Sequence, residues 1–160
     1  RAAREGEGVG SHADLVPAGE SEMSEAPLFT GACLCGAFRF EARGTPIAVN
    51  HCHCAQCQRA SGAAMLTWAT WPRASVRTLR GEAADFESSP GVKRSFCARC
   101  GSTLFWRREG RRPGEIDIAA GAIDQADALA PQDHIFVKSR RRWMPLCDGL
   151  PAYPEARAQS

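Results

Sequence analysis

The stretch GACLCGAFRFEAR, residues 31–43, decides the reading of the fold. From Ala37 onward its residues alternate. Phe38, Phe40 and Ala42 point one way and Arg39, Glu41 and Arg43 the other, which is the period of a half-buried strand. Just before it stands Cys33-Leu34-Cys35-Gly36. A tight turn of this kind offers two sulfurs to one metal ion. The glycine after the second cysteine takes a positive φ, so that backbone amides face the thiolates.

Further out, the same two signals recur. Pro46–Asn50 is a short apolar run leading into His51-Cys52-His53-Cys54-Ala55-Gln56-Cys57-Gln58. Residues 64–70, 76–79, 92–96 and 103–106 read as strands. Ile116, Ile118 and Ala120 alternate with Asp117 and Ala119, and Ile135 and Val137 with Phe136 and Lys138. Cys97-Ala98-Arg99-Cys100-Gly101 lies between two of these strands. Turn residues return about every ten positions, the pattern of an all-β chain. The expected fold is small antiparallel sheets in a zinc-stapled sandwich or tent-like arrangement. Short helices are expected over 55–60 and 124–129.

The chain has 160 residues, enough for one domain with a modest core. Net charge is +2, which gives no global electrostatic case for nucleic acid. The basic residues are eighteen Arg and two Lys, a coding bias more than a binding signature. No run of eighteen apolar residues exists to span a membrane, and the first thirty residues hold no apolar signal core. The expectation is a cytoplasmic protein with reduced cysteines. The domain is expected over 26–154 and a short tail over 155–160. Residues 1–25 read as a polar, disordered extension, with Met23 as the first methionine.

Eight cysteines are present, seven of them in the three clusters. The first and third clusters share a Cys-Gly ending and together make a closed four-cysteine site. A redox CxxC would open a helix, whereas strands flank this one. The middle cluster has three cysteines. An imidazole of His51 or His53 would close its tetrahedron. An extended Cys-His-Cys segment instead turns the imidazole away and leaves a position open, as catalytic zinc sites do. A regrouping of Cys54 and Cys57 with Cys97 and Cys100 into a zinc ribbon also fits the spacing. Cys147, alone, reads as a buried small residue, and Trp68, Trp71, Trp106 and Trp143 read as core. Arg107, Arg108, Arg111 and Arg112 read as a hairpin loop. Lys138, Arg140, Arg141 and Arg142 read as a solvated strand edge.

Five segments carry a resemblance: GACLCGAFRF, HCHCAQCQRASG, SFCARCGSTLFW, HIFVKSRRRW and DGLPAY, in that order. The chain resembles the glutathione-dependent formaldehyde-activating enzyme family, with its centromere protein V relatives, from about Phe29 to Tyr153. The resemblance implies two zinc ions, a structural one on Cys33, Cys35, Cys97 and Cys100 and a second on Cys52, Cys54 and Cys57 beside a glutathione site. It implies carbon–sulfur lyase chemistry: formaldehyde and glutathione condensing to S-hydroxymethylglutathione. Glutathione or another small thiol carries carboxylates, and Gln58, Arg59 and Ser61 are the polar residues next to the cluster in sequence. The alternative reading is a zinc-stapled module that binds a small thiol or a macromolecule without catalysis.

Overall fold

The structure, a computed structural model, describes residues 26–110 and 112–157. The extension expected over 1–25 therefore lies outside the described residues. Among the described residues ten strands form two sheets. They are β1 (Leu28–Ala32), β2 (Arg39–Arg43), β3 (Ala48–Cys52), β4 (Leu66–Pro72), β5 (Val76–Arg80), β6 (Ala84–Ser89), β7 (Val92–Phe96), β8 (Thr103–Arg108), β9 (Arg112–Ala119) and β10 (Asp133–Ile135). Among the described residues one α-helix, α1 (Ala55–Ser61), follows β3. The small sheet runs β1-β2-β5 and the large one β10-β3-β4-β9-β8-β7-β6.

Alternation decides what each face does. Phe38 and Phe40 present their rings to Phe105 of the large sheet, at centroid separations of 5.7 and 5.2 Å. Ala69, Trp71, Ile116 and Ile118 complete this inter-sheet core. Each of its large side chains contributes about 1.5–3 kcal/mol by burial. Glu41, on the opposite face of β2, is also buried, because Arg43 and Arg77 lie over it at 3.5 and 3.0 Å. In the large sheet the residues out of phase with that core fall in register. Asn50 pairs with Trp68, Asp117 faces Thr70 on one side and Trp106 on the other, and Trp106 faces Arg94. That second face is not covered by the small sheet and forms the floor of a cavity.

Several sequence expectations change here. The strand expected through Lys138 ends at Ile135, because Phe136 adopts a left-handed conformation (φ 57°) and Val137–Ser139 close a 3-10 turn. Lys138 and Arg140–Arg142 thus lie on a turn and loop, not a strand edge. Residues 126–128 form a single 3-10 turn where a helix was expected. Arg107, Arg108 and Arg112 belong to β8 and β9, so the hairpin loop is shorter than the basic run suggested. Trp143 and Cys147 are exposed, whereas Trp68 and Trp71 are buried as core residues should be. Strand β6, which the sequence pattern did not suggest, caps the edge of the large sheet beside β7.

The last described residues run on against β10. His134 N–H donates to Pro151 O, Tyr153 N–H to His134 O and Phe136 N–H to Glu155 O. Arg157 pairs with the buried Asp133. Residues 155–157 are thereby held to the body of the domain. Among the described residues no helix is long and apolar enough to cross a membrane.

Candidate metal centres and the adjoining cavity

The Cys33–Gly36 turn joins β1 to β2 and the Cys97–Gly101 turn joins β7 to β8. The two glycines have φ of 67° and 74°, the left-handed conformation the sequence asked of them. Each turn is closed by its own backbone bond, Gly36 N–H to Cys33 O at 2.9 Å and Gly101 N–H to Cys97 O at 2.8 Å. Packing of the two sheets then brings the turns together, so that the sulfurs of Cys33, Cys35, Cys97 and Cys100 lie within 4.8 Å of one another. The Sγ atoms of Cys33 and Cys35 are 3.6 Å apart, and those of Cys35 and Cys97 are 3.9 Å apart. These are far beyond a disulfide bond. They bracket the edge of about 3.8 Å that a tetrahedron with metal–sulfur bonds of 2.3 Å requires. The donor set and its spacing fit a zinc-like ion. Phe38 N–H donates to Cys33 Sγ at 3.2 Å, and the Ser102 hydroxyl and N–H bring the Cys100 thiol down to about 5.

The sulfurs of Cys52, Cys54 and Cys57 form a second group within 4.8 Å. Cys52 ends β3, and Cys54 caps α1 by accepting the Cys57 N–H at 3.3 Å. Hydrogen bonds from the Cys52 and Cys57 thiols hold Cys54 far below the usual thiol range, while Cys52, facing Cys54 and Cys57, is pushed up. The Cys57 sulfur also accepts from Trp68 Nε1–H at 3.4 Å and from the Arg94 guanidinium at 3.7 Å. No histidine joins the group. His53 is wholly buried behind it, with Nε2 2.9 Å from His134 Nδ1, and His134 Nε2 is 2.8 Å from Asp148. His51 Nδ1 bonds Thr67 at 2.8 Å. Burial, then the neighbouring imidazoles of His134 and His51, lower His53 to about 4. Thus the extended Cys-His-Cys segment does turn its imidazole away, and the zinc-ribbon regrouping does not form.

All three cysteines open on a cavity of about 790 Å³. Its floor is the free face of the large sheet, with Asn50, Trp68, Asp117, Trp106, Arg94 and Arg108. Gln56 and Phe136 stand at its sides, and Glu155, Ala156 and Arg157 supply the wall made by the C-terminal segment. The lining is aromatic and basic, a setting for a small anionic molecule. Asp117 is raised by burial, against the pull of Arg112 and Thr70. It accepts from Thr70 Oγ1 at 2.7 Å and pairs with Arg112 at 3.2 Å. Arg108 makes no side-chain hydrogen bond or ion pair among the described residues. The buried Asn50 Oδ1 likewise lacks a partner among them.

Gln58, Arg59 and Ser61 do not line this cavity. Gln58 is buried and donates to His53 O at 2.7 Å and Ser139 O at 3.1 Å, which fixes the cluster to the 3-10 turn. Ser61 bonds back to Cys57 O at 2.8 Å, and Arg59 is exposed. The residues that sequence proximity missed are Arg94, Arg108, Arg112 and Arg157, from strands and a tail distant in sequence. For Arg94 a signal was present. It stands in phase with Val92 and Phe96, where an apolar residue would be expected.

Residues 28–139 match a family model described as glutathione-dependent formaldehyde-activating enzyme. A solved structural-genomics structure of a Rhodobacter sphaeroides protein is similar in fold. It is 24% identical, with a TM-score of 0.51 over 60% of this chain and 88% of that one. No curated protein matches the chain.

Proposed function

The chain belongs to the glutathione-dependent formaldehyde-activating enzyme family, and from that premise we propose that it is a zinc-dependent carbon–sulfur lyase acting on an adduct of glutathione or another small thiol. The observation that carries the reading is that three cysteine sulfurs, joined by no histidine, converge at the edge of a cavity large enough for a tripeptide. Three protein ligands with one position free is the arrangement of a catalytic zinc, whereas the closed four-cysteine group suits a structural one. Zinc on the three-cysteine group would supply a site at which a thiol is held as thiolate.

The chain's own residues supply the rest. Arg108, with no partner of its own among the described residues, is placed to receive a ligand carboxylate. Asn50 Oδ1 is an acceptor for a peptide N–H. Trp68, Trp106 and Phe136 exclude water from the thiol. In the condensation the sulfur–carbon bond forms as the carbonyl π bond of formaldehyde opens, and the proton given up by the thiol ends on the oxygen as the hydroxyl. Gln58 and Ser61 act from behind by fixing the loop and helix that carry the cysteines.

The test is exchange NMR of glutathione with formaldehyde in the presence of zinc-loaded protein and of its Cys54→Ser variant. Acceleration by the parent that the variant lacks supports the lyase. No acceleration by folded parent carrying two zinc ions would overturn it in favour of a non-catalytic thiol-binding module.

A further inference from the structure

Arg94 is a cation without a carboxylate partner among the described residues. Its side chain lies on the cavity face of β7 and is 7% exposed. A guanidinium keeps its charge at any physiological pH. Burial of a charge is tolerated only beside a counter-charge. The partners of Arg94 are Ser88 Oγ at 3.2 Å, Gln56 Oε1 at 3.3 Å and Cys57 Sγ at 3.7 Å. Two are neutral dipoles. The cavity carboxylates are engaged elsewhere, Asp117 by Arg112 and Thr70 and Glu155 by Lys138. Among the described residues, the cysteine group is the source of negative charge within reach of Arg94.

We infer that Arg94 is the counter-charge of the three-cysteine centre and that it selects an anionic sulfur, not a neutral ligand, for the free position. The inference rests on the metal reading given above. A divalent ion with three thiolates carries one negative charge, and Arg94 cancels it. A fourth thiolate then enters a neutral site instead of an anionic one. Two donors, Arg94 and Trp68 Nε1–H, converge on the Cys57 sulfur and draw charge from it. A metal ion held by this group would be more electrophilic than three unassisted thiolates would leave it. Arg94 acts through Cys57 and is a positioning residue.

The experiment uses the full chain loaded with Co²⁺, whose absorption bands report a fourth ligand. It is titrated with 2-mercaptoethanol, whose only charge is on sulfur, and separately with imidazole, which binds neutral. Arg94→Gln should weaken thiol binding by about 10- to 100-fold, as loss of an outer-shell partner does. Imidazole affinity should change less than about threefold, by the same charge argument. Arg94→Lys should restore most of the thiol affinity, and Ser88→Ala, which removes a neutral bond only, should leave it within about twofold. Equal loss of both ligands in Arg94→Gln, or loss of neither, overturns the inference. So does an Arg94→Lys variant that discriminates no better than Arg94→Gln. Should Arg94→Gln not fold, Arg94→Lys decides alone: retained preference for thiol supports the inference and its loss refutes it. A parent protein whose Co²⁺ spectrum responds to neither ligand refutes the open-site reading itself.

Discussion

Gly31 is the position where a single methyl group should do most damage. It pairs with Phe40 across β1 and β2 and bridges to Ile123. A Cβ there would sit 2.2 Å from Phe40 Cζ, 2.6 Å from Phe40 Cε1 and 2.4 Å from Ala122 O, where ordinary contact begins at 3.4 Å. The shortfall is about 1 Å on both sides at once. Phe40 cannot yield, being wholly buried and edge-on to Phe105 at 5.2 Å. Ala122 O is backbone in the 3-10 turn that follows β9. Overpacking of this kind costs about 1–3 kcal/mol, and rigid neighbours place it at the upper end. Restricting the unfolded chain returns about 0.4–1 kcal/mol. Gly31→Ala should therefore lose about 2 kcal/mol in urea unfolding and about 5–10 °C in Tm. Both proteins must be compared at equal metal content. Adding Phe40→Leu removes the ring atoms but not the carbonyl contact. The double-mutant cycle should then show a favourable coupling of about 1 kcal/mol. Ala122 also packs against both hydrophobic clusters, one of which contains Cys52 and Cys57, so the strain should reach the thiol cavity as weaker ligand binding. A Gly31→Ala protein within about 0.5 kcal/mol of the parent would refute the packing argument.

Removing metal separates the two cysteine groups. Cys97→Ser should lower bound zinc and unfold the domain, because structural zinc contributes about 10–16 kcal/mol of binding energy to folding. Cys54→Ser should lose one zinc and retain a cooperative unfolding transition; metal analysis with calorimetry distinguishes them. Arg108→Ala should weaken glutathione by about tenfold, the worth of one charge-assisted hydrogen bond, yet leave 2-mercaptoethanol unaffected, as read by the same Co²⁺ titration. Stability should also fall in acid through His53. Its folded pKa of about 4 lies below the unfolded value of 6.5, so the unfolded chain takes up the proton first. The loss begins near pH 6.5 and is complete near pH 4. Urea midpoints at stepped pH, with zinc content followed in parallel, should show this slope, and a His53→Asn variant should lack that component.

The motif residues and strand phases were legible in the sequence because both are local. Cys-x-Cys-Gly and Cys-x-x-Cys-Gly fold as closed turns from their own backbone bonds, so spacing offered the four-cysteine group, while the packing of the two sheets decided it over the zinc-ribbon regrouping that the spacing also allowed. Phe38, Phe40 and Ala42 declared a core face by alternation, and Ile116 and Ile118 another. The turning away of His53 also follows from extended geometry. Substrate contacts were not legible, because sequence neighbours of a cysteine on a short helix face several directions. Gln58 points into the fold and Ser61 bonds back along its own helix, while the cavity arginines come from β7, β8, β9 and the C-terminal segment. Only the pairing of strands distant in sequence could put Arg94 beside Cys57, 37 residues earlier. Phe136 marks the same limit. Its alternating neighbours read as strand, yet the incoming segment at Tyr153 and Glu155 takes up the backbone bonds and bends the chain at the cavity edge. Local chemistry therefore determined which residues gather a metal and which faces are buried. Long-range packing decided which charges surround the open sulfur group, because those contacts exist only once the sheet has closed.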